Sequence, residues 1–146
     1  MTRCGGESRA PRRALVCIAA LMGLRAVVAA QAPLAFDEAY YWLWSKSLAA
    51  GYLDHPPLIA YVIRLGTTIF GDTPLGVRAV PLLLLIGATW AVWRSGAVLL
   101  RSDAGGAMAA VFFNVTLMSG TVGLAATPDS PAMAAAAFFV FCLAQV

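Results

Sequence analysis

Apolar runs of about 20 residues or more, at residues 14–36, 74–100 and 107–126, constrain this chain before any motif is read. Each is long enough to cross the ~30 Å hydrocarbon core of a bilayer, and together they exceed what one small soluble core can hide. A fourth run begins at Pro131 and reaches Val146 after about 16 residues, short of a usual span. The composition agrees: 61% of the 146 residues are hydrophobic and 12% charged, where a soluble domain is about half apolar and a quarter charged. The expected fold is an all-α polytopic membrane protein with about four transmembrane helices and amphipathic surface helices in its first external loop.

The charges give these spans a direction. Arg3, Arg9, Arg12 and Arg13 against Glu7 leave the tail at net +3, which is the net charge of the whole chain. A basic tail before an apolar run is a topology signal, and the balance elsewhere excludes a nucleic-acid footprint. Arg94 and Arg101 against Asp103 mark a second cytoplasmic segment. Residues 37–78 carry Lys46, Arg64 and Arg78 against Asp37, Glu38, Asp54 and Asp72, and belong outside. The expected order is therefore a cytoplasmic tail (1–13), a span (14–36), an external loop (37–73), a span (74–100), a cytoplasmic turn (101–106), a span (107–126), an external turn (127–130) and an incomplete span (131–146). All the acids after the tail except Asp103 then share the outer face.

Residues 14–24 and Ala30-Gln31-Ala32 also fit a secretory signal and its cleavage site. Arg25 interrupts that apolar stretch and further spans follow, which favours an uncleaved anchor. Cys4, Cys17 and Cys142 form neither a metal motif nor a disulfide framework.

The external loop predicts two surface helices. Residues 37–50 place acids in a first turn and four aromatics (Tyr40, Tyr41, Trp42, Trp44) at headgroup depth, with Gly51 as the stop. After Pro56-Pro57, Leu58, Val62, Leu65 and Ile69 make one stripe at helical spacing. Thr73 and Pro74 read as N-cap and first residue of the next span, with Ser102-Asp103-Ala104-Gly105-Gly106 as a tight turn beyond it.

The polar residues admit two readings each. Asp37-Glu38 is either a dipole-stabilised first turn, worth about 0.3–1 kcal/mol, or a general base at the membrane exit. Asp54-His55 is either a polar turn before Pro-Pro or a site for an acceptor, a phosphate or a divalent cation, although one His with scattered carboxylates is no ligand pattern. Asp129 either caps the fourth run or faces a cavity, and Arg78 either snorkels or binds a lipid phosphate. Arg25 lies mid-span, and the sequence names no partner for it.

Phe36-Asp37-Glu38-Ala39-Tyr40-Tyr41-Trp42, Gly51-Tyr52-Leu53-Asp54-His55-Pro56-Pro57-Leu58 and Phe70-Gly71-Asp72-Thr73-Pro74-Leu75-Gly76-Val77-Arg78 occur in that order, followed by Thr127-Pro128-Asp129. From residue 14 to 146 the chain resembles the N-terminal part of bacterial polytopic glycosyltransferases of the C-type fold. These include the protein O-mannosyltransferase superfamily and the lipid A aminoarabinose transferase-like enzymes. The resemblance implies inverting transfer of a sugar from a polyprenyl-phosphate donor to a glycan, lipid or protein hydroxyl, on the outer face of the bacterial cytoplasmic membrane.

It casts Asp37 as catalytic base and Glu38 as the second acid of the motif. Asp54 and His55 become the pair associated with acceptor, divalent cation and donor phosphate, Asp129 an acid at the same cavity, and Arg78 a phosphate partner. Such enzymes are several-fold longer, so the chain is expected to be a fragment of one or a truncated product. The competing expectations are a non-enzymatic membrane protein or inactive remnant, in which the acids are caps, and a transporter-like module using Arg25 and Asp129 as intramembrane charges.

Overall fold

The structure, a computed structural model, describes residues 9–53 and 55–146. Those residues are all-α: α1 (Arg9–Gln31), α2 (Phe36–Lys46), α3 (Leu58–Phe70), α4 (Pro74–Leu99), α5 (Asp103–Val115), α6 (Leu117–Val122) and α7 (Asp129–Ala144). Among the described residues, Pro11–Gln31 within α1 and Pro74–Leu99 are long and apolar enough to cross a membrane, whereas α3 and α7 are apolar but shorter.

α4 is the hub, packing against α1, α3, α5, α6 and α7. Its start is built as the sequence predicts: the Thr73 hydroxyl accepts the Gly76 N–H at 3.0 Å, and Pro74 fills the first turn, where no N–H is needed. Small residues set its contacts. Ala88 and Ala91 meet Ala134 and Ala137 of α7 in one buried cluster, the close approach that holds apolar helices together where hydrophobicity alone does not. Gly106 of α5 lies so near α4 that a Cβ there would stand 2.5 Å from the Trp93 carbonyl oxygen. Gly66 of α3 likewise abuts the Gly76 carbonyl.

Several helix boundaries differ from the sequence expectation, α1 running Arg9–Gln31 where a span at 14–36 is expected. α2 ends at Lys46 rather than near Ala50, because the Tyr52 ring stacks flat on Trp44 at 4.2 Å and its hydroxyl reaches the Trp44 and Ser47 carbonyl oxygens at 3.0 and 2.9 Å. That hydroxyl stands where the next helical N–H would be. α5 starts at Asp103, since the Ser102 hydroxyl accepts the Gly105 N–H and turns the expected loop into a first helical turn. The expected span 107–126 is broken at Thr116, whose extended backbone (φ −66°, ψ 149°) ends α5 and whose hydroxyl accepts the Ser119 N–H at the start of α6.

α3 turns a different face inward from the stripe read in the sequence. Ile59, Ala60, Ile63, Gly66 and Thr67 are buried, while Leu58, Leu65 and Ile69 are more than half exposed. The helix is apolar on two sides, one against the bundle and one facing out, as befits an element at a lipid boundary. A Cβ at Gly106 forces backbone apart, so Gly106→Ala is expected to destabilise the bundle by about 1–3 kcal/mol. Gly23→Ala, with nothing within 4 Å, leaves the thermal unfolding midpoint in detergent unchanged or slightly higher. Equal midpoints for the two variants would refute this packing.

Candidate active site

Neighbouring residues on a helix project about 100° apart, and the first turn of α2 uses that angle to give its two acids opposite fates. Glu38 points into the protein and is 1% exposed, while Asp37 is exposed.

Glu38 meets Arg78 side-on. Arg78 Nε donates to Glu38 Oε1 at 2.7 Å and Nη2 donates to Oε2 at 2.5 Å. The Ala126 N–H also donates to Oε1 (2.8 Å) and the Ala35 N–H to Oε2 (2.9 Å), the latter closing the first turn of α2 from N3. The rest of the guanidinium is spent on the end of α1 and its exit: Nη1 donates to the Ala29 and Ala32 carbonyls at 3.1 and 2.8 Å, and Nη2 to Pro33 at 2.9 Å. All five guanidinium N–H groups are thereby used. With these bonds made, Glu38 has no lone pair and Arg78 no N–H left over for a further partner. Burial alone would raise the Glu38 carboxyl, but Arg78 and the Ala35 and Ala126 N–H groups overcome it and hold the pKa below the ordinary Glu value.

Outside this clamp, Asp37 opens on a cleft of ≈ 490 Å³ lined by Phe36, Asp37, Tyr40, Tyr41 and His55. The structure thus brings Asp37 and His55, which are 18 positions apart in sequence, into one cavity. His55 is held by aromatic edges, its ring centroid 5.6 Å from Tyr41 and 6.3 Å from Trp44. Tyr40 lies 4.7 Å from Trp44, and the Trp44–Tyr52 stack extends the wall. Beneath the wall, Tyr41 packs with Ile59, Ile63, Val77 and Ala126. At the far end of α2, Lys46 pairs with Asp72, which also accepts the Trp42 indole N–H at 3.0 Å. Lys46 and Trp42 hold the exposed Asp72 carboxyl below its usual range.

Asp54 lies outside the described residues. Asp129 is exposed in the first turn of α7 and does not line the cleft. It is not the N-cap either, since that position is Pro128 and makes no side-chain bond. Among the described residues no group of three or more His, Cys, Asp or Glu side chains is placed to hold a metal ion.

Two partners escaped sequence reasoning. The backbone N–H of Ala126 left no trace, because a backbone group has no residue signature. Asn114 did leave one, as the only Asn of the chain and set inside an apolar run. It is the partner of Arg25, whose Nη1 donates to Asn114 Oδ1 at 2.9 Å and Nη2 to the Asn114 carbonyl at 2.8 Å. Asn114 Nδ2 in turn donates to Thr89 Oγ1 at 3.0 Å. Asp129 takes no part in this network.

Removing one partner of a buried ion pair strands the other, so Glu38→Ala is expected to destabilise by about 3–5 kcal/mol. A lowered carboxylate pKa contributes stability that is fully present above the ordinary Glu value of 4.5 and is lost as pH falls through the depressed one. The thermal midpoint in detergent should therefore fall as pH drops below that value, and Glu38→Gln should flatten the fall while lowering the midpoint at neutral pH. An unchanged acid limb in Glu38→Gln would refute the clamp.

A family model described as dolichyl-phosphate-mannose-protein mannosyltransferase matches residues 54–146. That match contains His55, Arg78 and Asp129 and begins after Asp37 and Glu38. A lipid A galacturonosyltransferase from Rhizobium johnstonii is 49% identical over 39 residues, which is 27% of this chain and 8% of that protein. The matched stretch is thus a small part of the curated relative. No solved structure matches the chain significantly.

Proposed function

The chain belongs to the dolichyl-phosphate-mannose-protein mannosyltransferase family, and on that premise we propose that it carries the acid-bearing part of a membrane glycosyltransferase. Its donor is a sugar linked to a polyprenyl phosphate. Its acceptor is a hydroxyl of a glycan, lipid or protein presented at the outer face of the bacterial cytoplasmic membrane.

The observation that carries this reading is the division of labour between adjacent acids. Glu38 is bound by four donors, while Asp37 stands exposed in an open cleft with His55 and an aromatic wall. A base needs a free lone pair within reach of a hydroxyl, and Asp37 offers one. The acceptor oxygen attacks the anomeric carbon as the bond from that carbon to the phosphate oxygen breaks. The hydroxyl proton passes to Asp37, and the polyprenyl phosphate leaves with the bonding electrons. Attack from the face opposite the phosphate inverts the anomeric centre. His55 sits in the same cleft and can donate a ring N–H to the leaving phosphate. Asp54 and Asp129 are the further acids of this face, for acceptor positioning or, in the case of Asp54, for a divalent cation.

A general base contributes about 10²–10⁴-fold, so Asp37→Asn in the native membrane-extracted protein should lower sugar transfer by that factor with unchanged helix content. Full activity in Asp37→Asn sinks the base assignment. Retained anomeric configuration in the product, read by NMR, excludes single displacement.

A further inference from the structure

At the end of the bundle opposite the Asp37 cleft, two cavities share Trp90 and Trp93 as common walls. The deeper one, ≈ 180 Å³, runs between α1 and α4 and is otherwise lined by Leu15, Ile18, Met22, Ile86 and Thr89. The outer one, ≈ 320 Å³, adds Pro11, Arg94 and Asp103. Together they make one groove with an apolar track and a charged mouth. From Leu15 to Met22 the track follows α1 for about two helical turns, or ~10 Å.

The mouth carries charge of both signs, neither of them neutralised. Arg94 and Asp103 both line it and both are exposed. Neither has an ion-pair or hydrogen-bond partner among the described residues, whose salt bridges are Lys46–Asp72 and Arg78–Glu38. The indole N–H groups of Trp90 and Trp93 are likewise without acceptors, whereas that of Trp42 at the other end bonds Asp72. A cation, a carboxylate and two indole donors above an apolar track complement a zwitterionic lipid headgroup better than a purely anionic one.

We propose that this groove binds one glycerophospholipid with a phosphoethanolamine headgroup. Its phosphate lies against the Arg94 guanidinium and its primary ammonium donates to Asp103. The indoles of Trp90 and Trp93 bound the glycerol level, and one acyl chain enters between α1 and α4. The ammonium selects this headgroup over phosphocholine, which carries the same charges but no N–H to donate. Asp103 also disfavours a headgroup that is only anionic.

The test is native mass spectrometry of the full chain in mild detergent, titrated separately with phosphatidylethanolamine, phosphatidylcholine and phosphatidylglycerol of the same acyl chains. The single-lipid adduct with phosphatidylethanolamine should exceed the phosphatidylcholine adduct by roughly three-fold or more. Asp103→Asn should reduce it to the phosphatidylcholine level, and Arg94→Gln should weaken all three. Circular dichroism shows whether each variant keeps its helix content, and Arg94→Lys, which keeps the charge, should retain the adduct. Equal phosphatidylethanolamine and phosphatidylcholine adducts overturn the proposal. So does a dominant phosphatidylglycerol adduct, which would mean capture by phosphate alone, and so does a lipid-free dimer, which would mean that a second copy covers the groove.

Discussion

The pairing of Glu38 with Arg78 is the interaction on which the functional end of this molecule rests. A guanidinium and a carboxylate removed from water are tolerable only when nearly every lone pair and N–H is satisfied. Here that requirement gathers four separate pieces of chain: the end of α1 and its exit through Ala29, Ala32 and Pro33, the start of α2 through Ala35 and Glu38, the first turns of α4 through Arg78, and the link before α7 through Ala126. None of these segments is held there by apolar packing alone. The pair fixes the direction in which α2 leaves the bundle, and with it the outward aim of Asp37.

Family membership and geometry describe different parts of the same face. The family match covers the chain from Asp54 onward, whereas the free carboxylate of the cleft lies before it. What joins them is physical: the aromatic wall around Asp37 is completed by His55, and the clamp behind it is completed by Arg78 and Ala126, all three from the matched region. The cleft is therefore not a local property of α2.

Much of this was legible in the residues because its cause is local or compositional. Long apolar runs dictate helices, Thr73 and Pro74 dictate where α4 begins, and acids after an apolar run mark the face of interest. What the residues alone leave open has a different cause. Asp37 and Glu38 look interchangeable in sequence, and only the inward turn of α2 separates a buried structural acid from an exposed one. Arg78 reads in sequence as a phosphate partner, and the three carbonyls it bonds at the end of α1 and its exit are visible only in the fold. The Leu58–Leu65–Ile69 stripe is regular, but a helix at a lipid boundary has two apolar faces, and periodicity cannot say which one meets protein. The break at Thr116 is likewise hidden, because threonine fits an apolar helix and becomes a cap only when its backbone extends.

The arginine in α1 has a consequence for biogenesis. On insertion scales a lone Arg at the centre of an apolar helix disfavours entry into lipid by about 2.5–3.5 kcal/mol. In the finished protein that penalty is met by Asn114, 89 positions later on α5, with Gly123 leaving room beside the guanidinium where a Cβ would stand 2.8 Å from Arg25 Cδ. A helix with such a charge that enters a bilayer before its partner exists has to stretch the charge toward a headgroup or wet it through a water defect. A helix placed early in the chain thus depends for its final seat on a residue of α5, and Arg25 bonded to Asn114 reports that the bundle around it has closed.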